Sequence, residues 1–567
     1  LLHGRIPGQT LDLAAGDMSS IYQHAYSSED VELAKRILFR RYSAVVGNPP
    51  YITVKDASMN AAYRNMFGSC SGKYALSVPF FERFFDLAVV GDQQHRAGFV
   101  GMITANSFMK RQMGKTLVEQ YISTWDLTHV IDTSGAYIPG HGTPTVIIFG
   151  RHRHPMTPTV RGVLGTRGEP SRPADPAKGI VWSSITSLLD TSGAEDAFVT
   201  ITDLDRATLS RHPWSIGDGG AAELKQNLDG LGRPLTQLVA DTGVVAVLGE
   251  DDAFLQESAR AWHRLGVDSS DLSTLVTGDV VRDWTVGASK SLVFPYHTDG
   301  SFHRRASIDW ALWPRRTTLA NYVFFGKNRL ERGLHWNEYG ALMRSKLRTP
   351  LSIGFADVAT HNQFVLDRGG RVFNRTAPVI KLPLGATLDD HLALLALLNS
   401  SAACFWMKQV FQNKGSSTDS NGARVTGSDT WDNHFQYDGT KLQQLPVPSG
   451  ALPLRYGELI DLLATERASF TPETIASRTG PTRDELAMAH RFTEQLTQQM
   501  IAAQEELDWY VYGLYDLLDG ENFTHPLDEV PPIALGERAF EIVMAQQIEA
   551  GDLETTWFVR HGSTPIT

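Results

Sequence analysis

The amino-acid sequence predicts an α/β fold: a doubly wound sheet at the start, an α+β domain in the middle and a helical end. Three observations predict it. Short β-branched runs alternate with helically spaced apolar segments over the first 150 or so residues. Short strands, aromatics and turns follow from about Leu235 to Pro448, and a long apolar stripe with helical spacing runs through Arg483–Leu518.

The first strand is Tyr42–Gly47 (YSAVVG). It must end at Asn48-Pro49-Pro50-Tyr51, because two prolines remove backbone donors and fix φ. Tyr74–Val90 then places Leu76, Phe80, Phe81, Phe84, Leu87 and Ala88 at helical spacing, and Gly98–Thr104 (GFVGMIT) has the composition of a buried strand. Lys115–Thr124 suits a helix, Leu127–Asp132 a strand, and Thr145–Phe149 (TVIIF) a last strand before Arg151-His152-Arg153. Ligands of such sheets sit outside the carboxyl ends of the strands, where Asn48–Tyr51 and Asn106-Ser107-Phe108 fall.

From His152 to about Gly220 the chain is rich in Pro, Gly, Ser and Thr with weak periodicity, which indicates a linker or inserted region. The middle region includes Leu292–Tyr296, Tyr322–Phe325 and the helix-like Asp390–Val410. In Arg483–Leu518 the apolar positions are Leu486, Met488, Phe492, Leu496, Met500, Ala503, Leu507, Val511 and Leu514. The expected divisions are therefore residues 1–151 for a partial catalytic domain, 152–234 for the linker, 235–450 for recognition and 451–567 for the helical region.

At 567 residues, two to four domains are expected, and 42% hydrophobic with 20% charged residues excludes a disordered chain. Cys70 and Cys404 are the only cysteines and lie far apart, so neither a disulfide framework nor a zinc site is supported. Apolar runs such as Leu392–Leu398 fall short of the ~20 residues of a spanning helix. No secretory signal opens the chain, so a cytoplasmic protein without a membrane partner is expected. His141, His303, His361 and His434 form no metal-ligand set, so no metal is expected, and no P-loop is present. The chain begins with leucine in what reads as the middle of an α/β domain, so a fragment lacking its N-terminal part is expected.

The formal net charge of -11 argues against bulk electrostatic coating of nucleic acid. Yet Leu272–Pro350 carries twelve basic residues against six acidic ones. Arg304, Arg305, Arg315, Arg316 and a Lys327–Arg348 cluster could neutralise phosphates of double-stranded DNA, and Lys408, Lys414 and Arg424 could reach a groove.

Asn48-Pro49-Pro50-Tyr51 is the sharpest motif, with a chance occurrence on the order of 0.1–1% in a chain of this length. Its chemistry suits methylation of a planar amine. Such a nitrogen is a poor nucleophile because its lone pair is delocalised. The Asn48 side-chain oxygen and the Pro49 carbonyl could each accept one of its N–H bonds, favouring a pyramidal nitrogen without a strong base. The prolines preorganise those acceptors, and the Tyr51 ring offers a stacking face for a base rotated out of a duplex.

At these residues the chain resembles the gamma-type N6-adenine DNA methyltransferases, which use S-adenosylmethionine on a Rossmann-like sheet. The resemblance runs through Gly72-Lys73-Tyr74-Ala75-Leu76, Phe80-Phe81-Glu82, Ile103–Phe108 and Ala136–Pro139 to Thr145–Phe149, covering roughly Leu1–Arg151. It implies Tyr137 as a second aromatic against the flipped adenine, and Phe80, Pro50 and Tyr74 beside the cofactor. Val281-Arg282-Asp283-Trp284, Phe294-Pro295-Tyr296, Leu397–Ser401, Tyr437 with Leu445–Pro448, and Gln504–Leu518 resemble the recognition half of large single-chain modification enzymes. Among these the chain is most similar to the adenine methyltransferases of phage-growth-limitation (BREX) systems, of the second type, which implies other phage-defence proteins as partners. The family's Gly-rich cofactor loop should precede Asn48, and Ala14-Ala15-Gly16-Asp17 imitates it only weakly. Three alternatives stay open: a combined restriction-modification enzyme, methylation of a protein or RNA amine, and a DNA-specificity component without catalysis.

Overall fold

The computed structural model describes residues 36–92, 96–140, 142–214, 221–347, 349–415, 417–418, 424–425, 430–478, 480–518, 520 and 523–567. The chain divides into two compact units, Leu1–Ala222 with Lys414–Asn433, and Glu223–Asn413 with His434–Thr567. Ala14–Asp17, His141 and Arg348 lie outside the described residues.

The first unit is mixed α/β. Its described elements run β1 (Ala44–Gly47), α1 (Ala57–Met66), α2 (Ser77–Leu87), β2 (Phe99–Ala105), β3 (Asp126–Asp132), β4 (Thr145–Arg151), β5 (Thr159–Gly165), α3 (Ile180–Leu188) and β6 (Val199–Asp205). The strands form one six-stranded sheet in the order β1-β2-β4-β3-β5-β6. Only the β1–β2 and β3–β5 pairs are parallel; β4 runs antiparallel between β2 and β3, and β6 antiparallel to β5.

Consecutive strand residues point to opposite faces, and β3 shows what each face meets. Val130 joins a core with Phe81, Phe85, Val100, Met102 and Ile148, whereas its neighbour Ile131 joins Val163, Val181, Ile185, Val199 and Ile201. The sheet thus buries apolar side chains on both sides at β3. The helix expected over Lys115–Thr124 is irregular, a π turn at Leu117–Tyr121 followed by a 3-10 turn at Ile122–Thr124.

The stretch 152–214, expected as a linker, instead extends the sheet through β5, α3 and β6. Its Pro, Gly, Ser and Thr residues occupy the short connections, while Val163, Val199 and Ile201 are fully buried.

The second unit holds a four-stranded sheet ordered Phe364–Asp367, Ser352–Phe355, Val379–Lys381, Asp241–Gly243, and another ordered Leu255–Gln256, Ser291–Val293, Leu272–Val276, Arg371–Phe373. The helix-like run Asp390–Val410 is two helices, α4 (Leu388–Leu398) and α5 (Ser401–Val410). Asn399 ends α4 because its side chain binds both the N–H and the carbonyl of Phe364, each at 3.0 Å, and Ser400 caps α5. α6 (Leu454–Ala468) and α7 (Arg483–Leu514) complete this core, with α8 (Ala539–Ala550) beyond them. α7 starts at a Thr482/Glu485 capping box and buries Leu496, Met500, Ala503, Leu507 and Val511 along one stripe. Leu486, Met488 and Phe492, expected on the same stripe, stay 40 to 48% exposed. Among the described residues no helix is long and apolar enough to cross a membrane, and no cluster of three or more His, Cys, Asp or Glu could hold a metal ion.

Candidate active site at the carboxyl end of β1

β1 ends at Gly47, where a side chain would meet the Phe84 ring at 2.7 Å, so glycine lets the strand end lie directly against α2. The next four residues leave the sheet with Asn48 exposed, Pro49 buried, Pro50 exposed and Tyr51 half-buried. Burial raises the Tyr51 hydroxyl pKa above its ordinary value, keeping it protonated.

The loop is pinned just beyond Tyr51. The Ile52 carbonyl accepts from Leu76 N–H at 2.8 Å, and Thr53 bridges antiparallel to Ala75. The opposing segment is itself fixed. Gly72 adopts φ 61°, a left-handed conformation suited to glycine, and its carbonyl accepts from Arg64 Nη2. The Ala75 N–H lies 3.3 Å from Met113 Sδ.

Two further loops emerge at the same edge of the sheet. β2 ends at Ala105 opposite Thr145, the first residue of β4, and the Asn106 N–H donates to the Pro144 carbonyl at 3.0 Å. Thr133, following β3, donates its N–H to the Thr145 carbonyl at 3.1 Å, and the two threonine hydroxyls meet at 2.7 Å. This threonine clasp closes the 133–144 loop that carries Tyr137. With strands ~4.8 Å apart, the β1 and β3 ends stand roughly 14 Å from one another, a span a nucleobase with a cofactor could occupy.

The expected site residues divide here. Asn48, Pro49, Pro50 and Tyr51 sit together on the loop. Phe80 is half-buried on α2, ring edge against Phe84 at 5.8 Å. The Tyr74 ring is fully buried, and its hydroxyl donates to the Asn60 carbonyl at 3.0 Å. Tyr137 is buried, at 6% exposed. The threonine clasp was missed in the sequence, where two isolated threonines give no signal until the β3–β4 register joins them.

The basic residues also divide. In the second unit Arg315, Arg316 and Lys327 are exposed. Arg304 pairs with Asp309 at 2.9 Å, and Arg305 lies 3.1 Å from Asp271, near enough for an ion pair but not aligned as a hydrogen bond. Lys408 lies over the Phe435 ring at 5.7 Å. Lys414 is exposed in strand Gln412–Gly415 and Arg424 lies in strand Arg424–Val425, both belonging to the first unit. Two members of the Lys327–Arg348 cluster are not surface charges at all. Arg329 is fully buried, donating to the carbonyls of Glu338, Leu319, Leu248 and Gly249, and Lys346 is buried against Asp241 at 2.5 Å.

The recognition-like motifs converge inside the second unit. Trp284 donates its N–H to the Phe364 carbonyl and its indole N–H to Gln504, and Gln504 donates to the Asn399 carbonyl. Asp508 accepts from the Ser401 N–H and hydroxyl, both at 2.7 Å. A cavity of about 800 Å³ opens beside them, lined by Asp283, Trp284, Asn399, Gln504 and Asp508 among others, and burial pushes the Asp508 carboxyl up to about 6.

Comparison with known proteins adds the following. Residues 15–138 match the family described as Eco57I restriction-modification methylase, and residues 500–567 a domain of unknown function (DUF7008). Over 559 residues the chain is 42% identical to the adenine-specific methyltransferase PglX of Streptomyces coelicolor, an alignment covering 96% of this chain and 46% of that protein. Among solved structures, the type IIL restriction-modification enzyme MmeI in complex with DNA has 11% identity, covers 84% of this chain and 57% of its own, and gives a TM-score of 0.45. The type IIG restriction endonuclease BpuSI has 13% identity, with coverage of 84% and 54% and a TM-score of 0.30. The chain is therefore similar, over residues 15–138, to the Eco57I restriction-modification methylases and, along nearly its whole length, to an adenine-specific methyltransferase of which it spans about half.

Proposed function

We propose that this chain provides the amine-binding loop and the recognition region of a site-specific DNA adenine-N6 methyltransferase that marks host DNA in phage defence. The observation that carries the proposal is the placement of Asn48-Pro49-Pro50-Tyr51. An exposed amide acceptor stands on a proline-stiffened loop at the carboxyl end of a strand, within the segment that matches a DNA-modification methylase family. The similarity to the adenine-specific methyltransferase PglX supports adenine as the target, and the resemblance to methyltransferases of phage-growth-limitation systems suggests phage defence as the setting. In this reading the first unit's sheet is the doubly wound methyltransferase sheet. Residues 1–151 serve catalysis, 235–450 recognition and 451–567 the helical region, with 152–214 an extension of the sheet.

Asn48 Oδ1 and the Pro49 carbonyl would accept the two N–H bonds of a flipped adenine amine, drawing its lone pair out of the ring. Tyr51 would stack on the base through its ring, leaving its hydroxyl in the half-buried pocket that raises its pKa. Tyr137, at 6% exposed, would flank the base only if its ring became accessible. S-adenosylmethionine, when bound, supplies an electrophilic methyl on a sulfonium. Of the residues expected to hold it, Phe80 and Pro50 keep accessible surface that suits an adenosyl group, while Tyr74 is fully buried. The DNA would be held by Arg304, Arg305, Arg315, Arg316, Lys327, Lys408, Lys414 and Arg424, and the enzyme would work in the cytoplasm with other phage-defence proteins.

The test is Asn48→Ala in the full-length protein. Loss of one preorganised hydrogen-bonding group at a reacting centre costs about 10²–10³-fold in turnover, and DNA affinity should be retained. Unchanged methyl transfer by this variant would remove Asn48 from the chemistry.

A further inference from the structure

In the second unit, strands Val323–Phe324 and Lys327–Asn328 form a two-residue hairpin whose tip is Phe325-Gly326. Phe325 has φ 52° and Gly326 φ 80°, so both central residues are left-handed, as in the turn that asparagine followed by glycine normally supplies. A phenylalanine is a costly choice there, because a bulky side chain disfavours the left-handed region. Its ring is 91% exposed. The chain thus holds an aromatic residue in a strained conformation and points it into solvent, a combination that marks a functional position.

The base of the hairpin is built stiffly. The Phe324 ring tilts against Phe325 at 4.3 Å, and the Arg332 guanidinium lies 5.2 Å over Phe324 while donating to the Gly340 carbonyl at 2.5 Å. Buried Arg329, one residue past the second strand, ties the segment to four carbonyls. In the chain leading to and from the hairpin, Trp310, Trp313, Val323 and Leu330 are 54 to 76% exposed. Trp310–Leu330 contains no acidic residue, and its Arg315, Arg316 and Lys327 are exposed. Asp309, which pairs with Arg304, and Glu331, which accepts from the Asn328 N–H, bound this stretch, and exposed apolar rings in a stretch whose only charges are cationic complement a ligand with both anionic groups and flat apolar faces, which duplex DNA supplies as phosphates and base pairs.

We propose that Phe325 is a DNA wedge: its ring inserts between base pairs of duplex DNA while Arg315, Arg316 and Lys327 hold the neighbouring phosphates. The inference rests on the proposed DNA-modifying function and adds to it a position that distorts the duplex.

Phe325→Asn separates this role from a structural one, since asparagine adopts the left-handed turn readily and removes only the ring. The probes are a short fluorescent duplex of random sequence, read by anisotropy, and a closed circular plasmid relaxed by a topoisomerase in the presence of the full-length protein. The wild type should unwind the plasmid. Phe325→Asn should melt at the same temperature or higher, bind the duplex about fivefold or more weakly, and lose the unwinding. Equal binding and unwinding by the variant would overturn the wedge and leave the hairpin as a surface for a protein partner. Wild-type binding without unwinding would also overturn it. A wild-type protein that fails to bind DNA at all would instead bring down the DNA reading itself, and the wedge with it.

Discussion

In the proposed function, Tyr51 separates two contributions that a tyrosine can make at a loop that binds a base. Its ring supplies a stacking face, while its hydroxyl sits where burial raises its pKa, so no proton is released near neutral pH. Tyr51→Phe should therefore keep methyl transfer close to wild type, and Tyr51→Ala should weaken capture of the flipped base by about 1–3 kcal/mol, read as a rise in KM for DNA. A large loss on Tyr51→Phe would assign the hydroxyl a part in the reaction. Glu541, on α8, makes a different residue-scale case. Burial pushes its carboxyl up, yet hydrogen bonds from Arg538 at 2.7 and 2.8 Å, Trp557 at 2.9 Å and Gly536 at 2.8 Å outweigh that and hold it at about 2. A carboxyl with a depressed folded pKa stabilises fully above its unfolded value of 4.5 and loses the effect as pH falls toward 2. Glu541→Gln should then cost up to roughly 3 kcal/mol at pH 7 in denaturant unfolding, with the gap to wild type closing below about pH 4. The end of β1 and the loop at Asn48–Tyr51 were legible in the sequence because proline makes its geometry local. Arg329 was not: it reads as one more surface cation, and the Leu248 and Gly249 carbonyls it satisfies lie some 80 residues upstream.

At the scale of elements, period and capping carried most of the reading. β2, β3, β4 and α2 fall within a few residues of the expected bounds because each has a clean apolar pattern. The break between α4 and α5 was hidden because apolar spacing continues across Asn399-Ser400, and only the distant Phe364 backbone makes Asn399 a terminator. The 152–214 stretch was misjudged for the opposite reason, since turn residues dilute the alternation of two short strands. α7 shows the limit of periodicity alone: its stripe extends to Leu486, but burial begins only at Ala489 and is continuous from Leu496. Leu507 is fully buried at the centre of that seam, so Leu507→Ala should cost about 2–5 kcal/mol, whereas Leu486→Ala, at 40% exposure, should change stability little. Equal thermal shifts for the two variants would contradict the packing described here.

The whole molecule combines a formal net charge of -11 with a locally basic segment, Leu272–Pro350, so positive charge is concentrated rather than general. Its two units carry distinct tasks in the proposed function, the first holding the Asn48 loop and the second the Phe325 hairpin. The chain spans 46% of the curated relative it matches, so the decisive assay belongs to the full-length protein. That assay is transfer of labelled methyl from S-adenosylmethionine to DNA never exposed to the host, followed by digestion to nucleosides and identification of the labelled base. Label confined to N6-methyladenine with the wild type and absent with Asn48→Ala is the predicted result; label on cytosine, on protein or on nothing would contradict it.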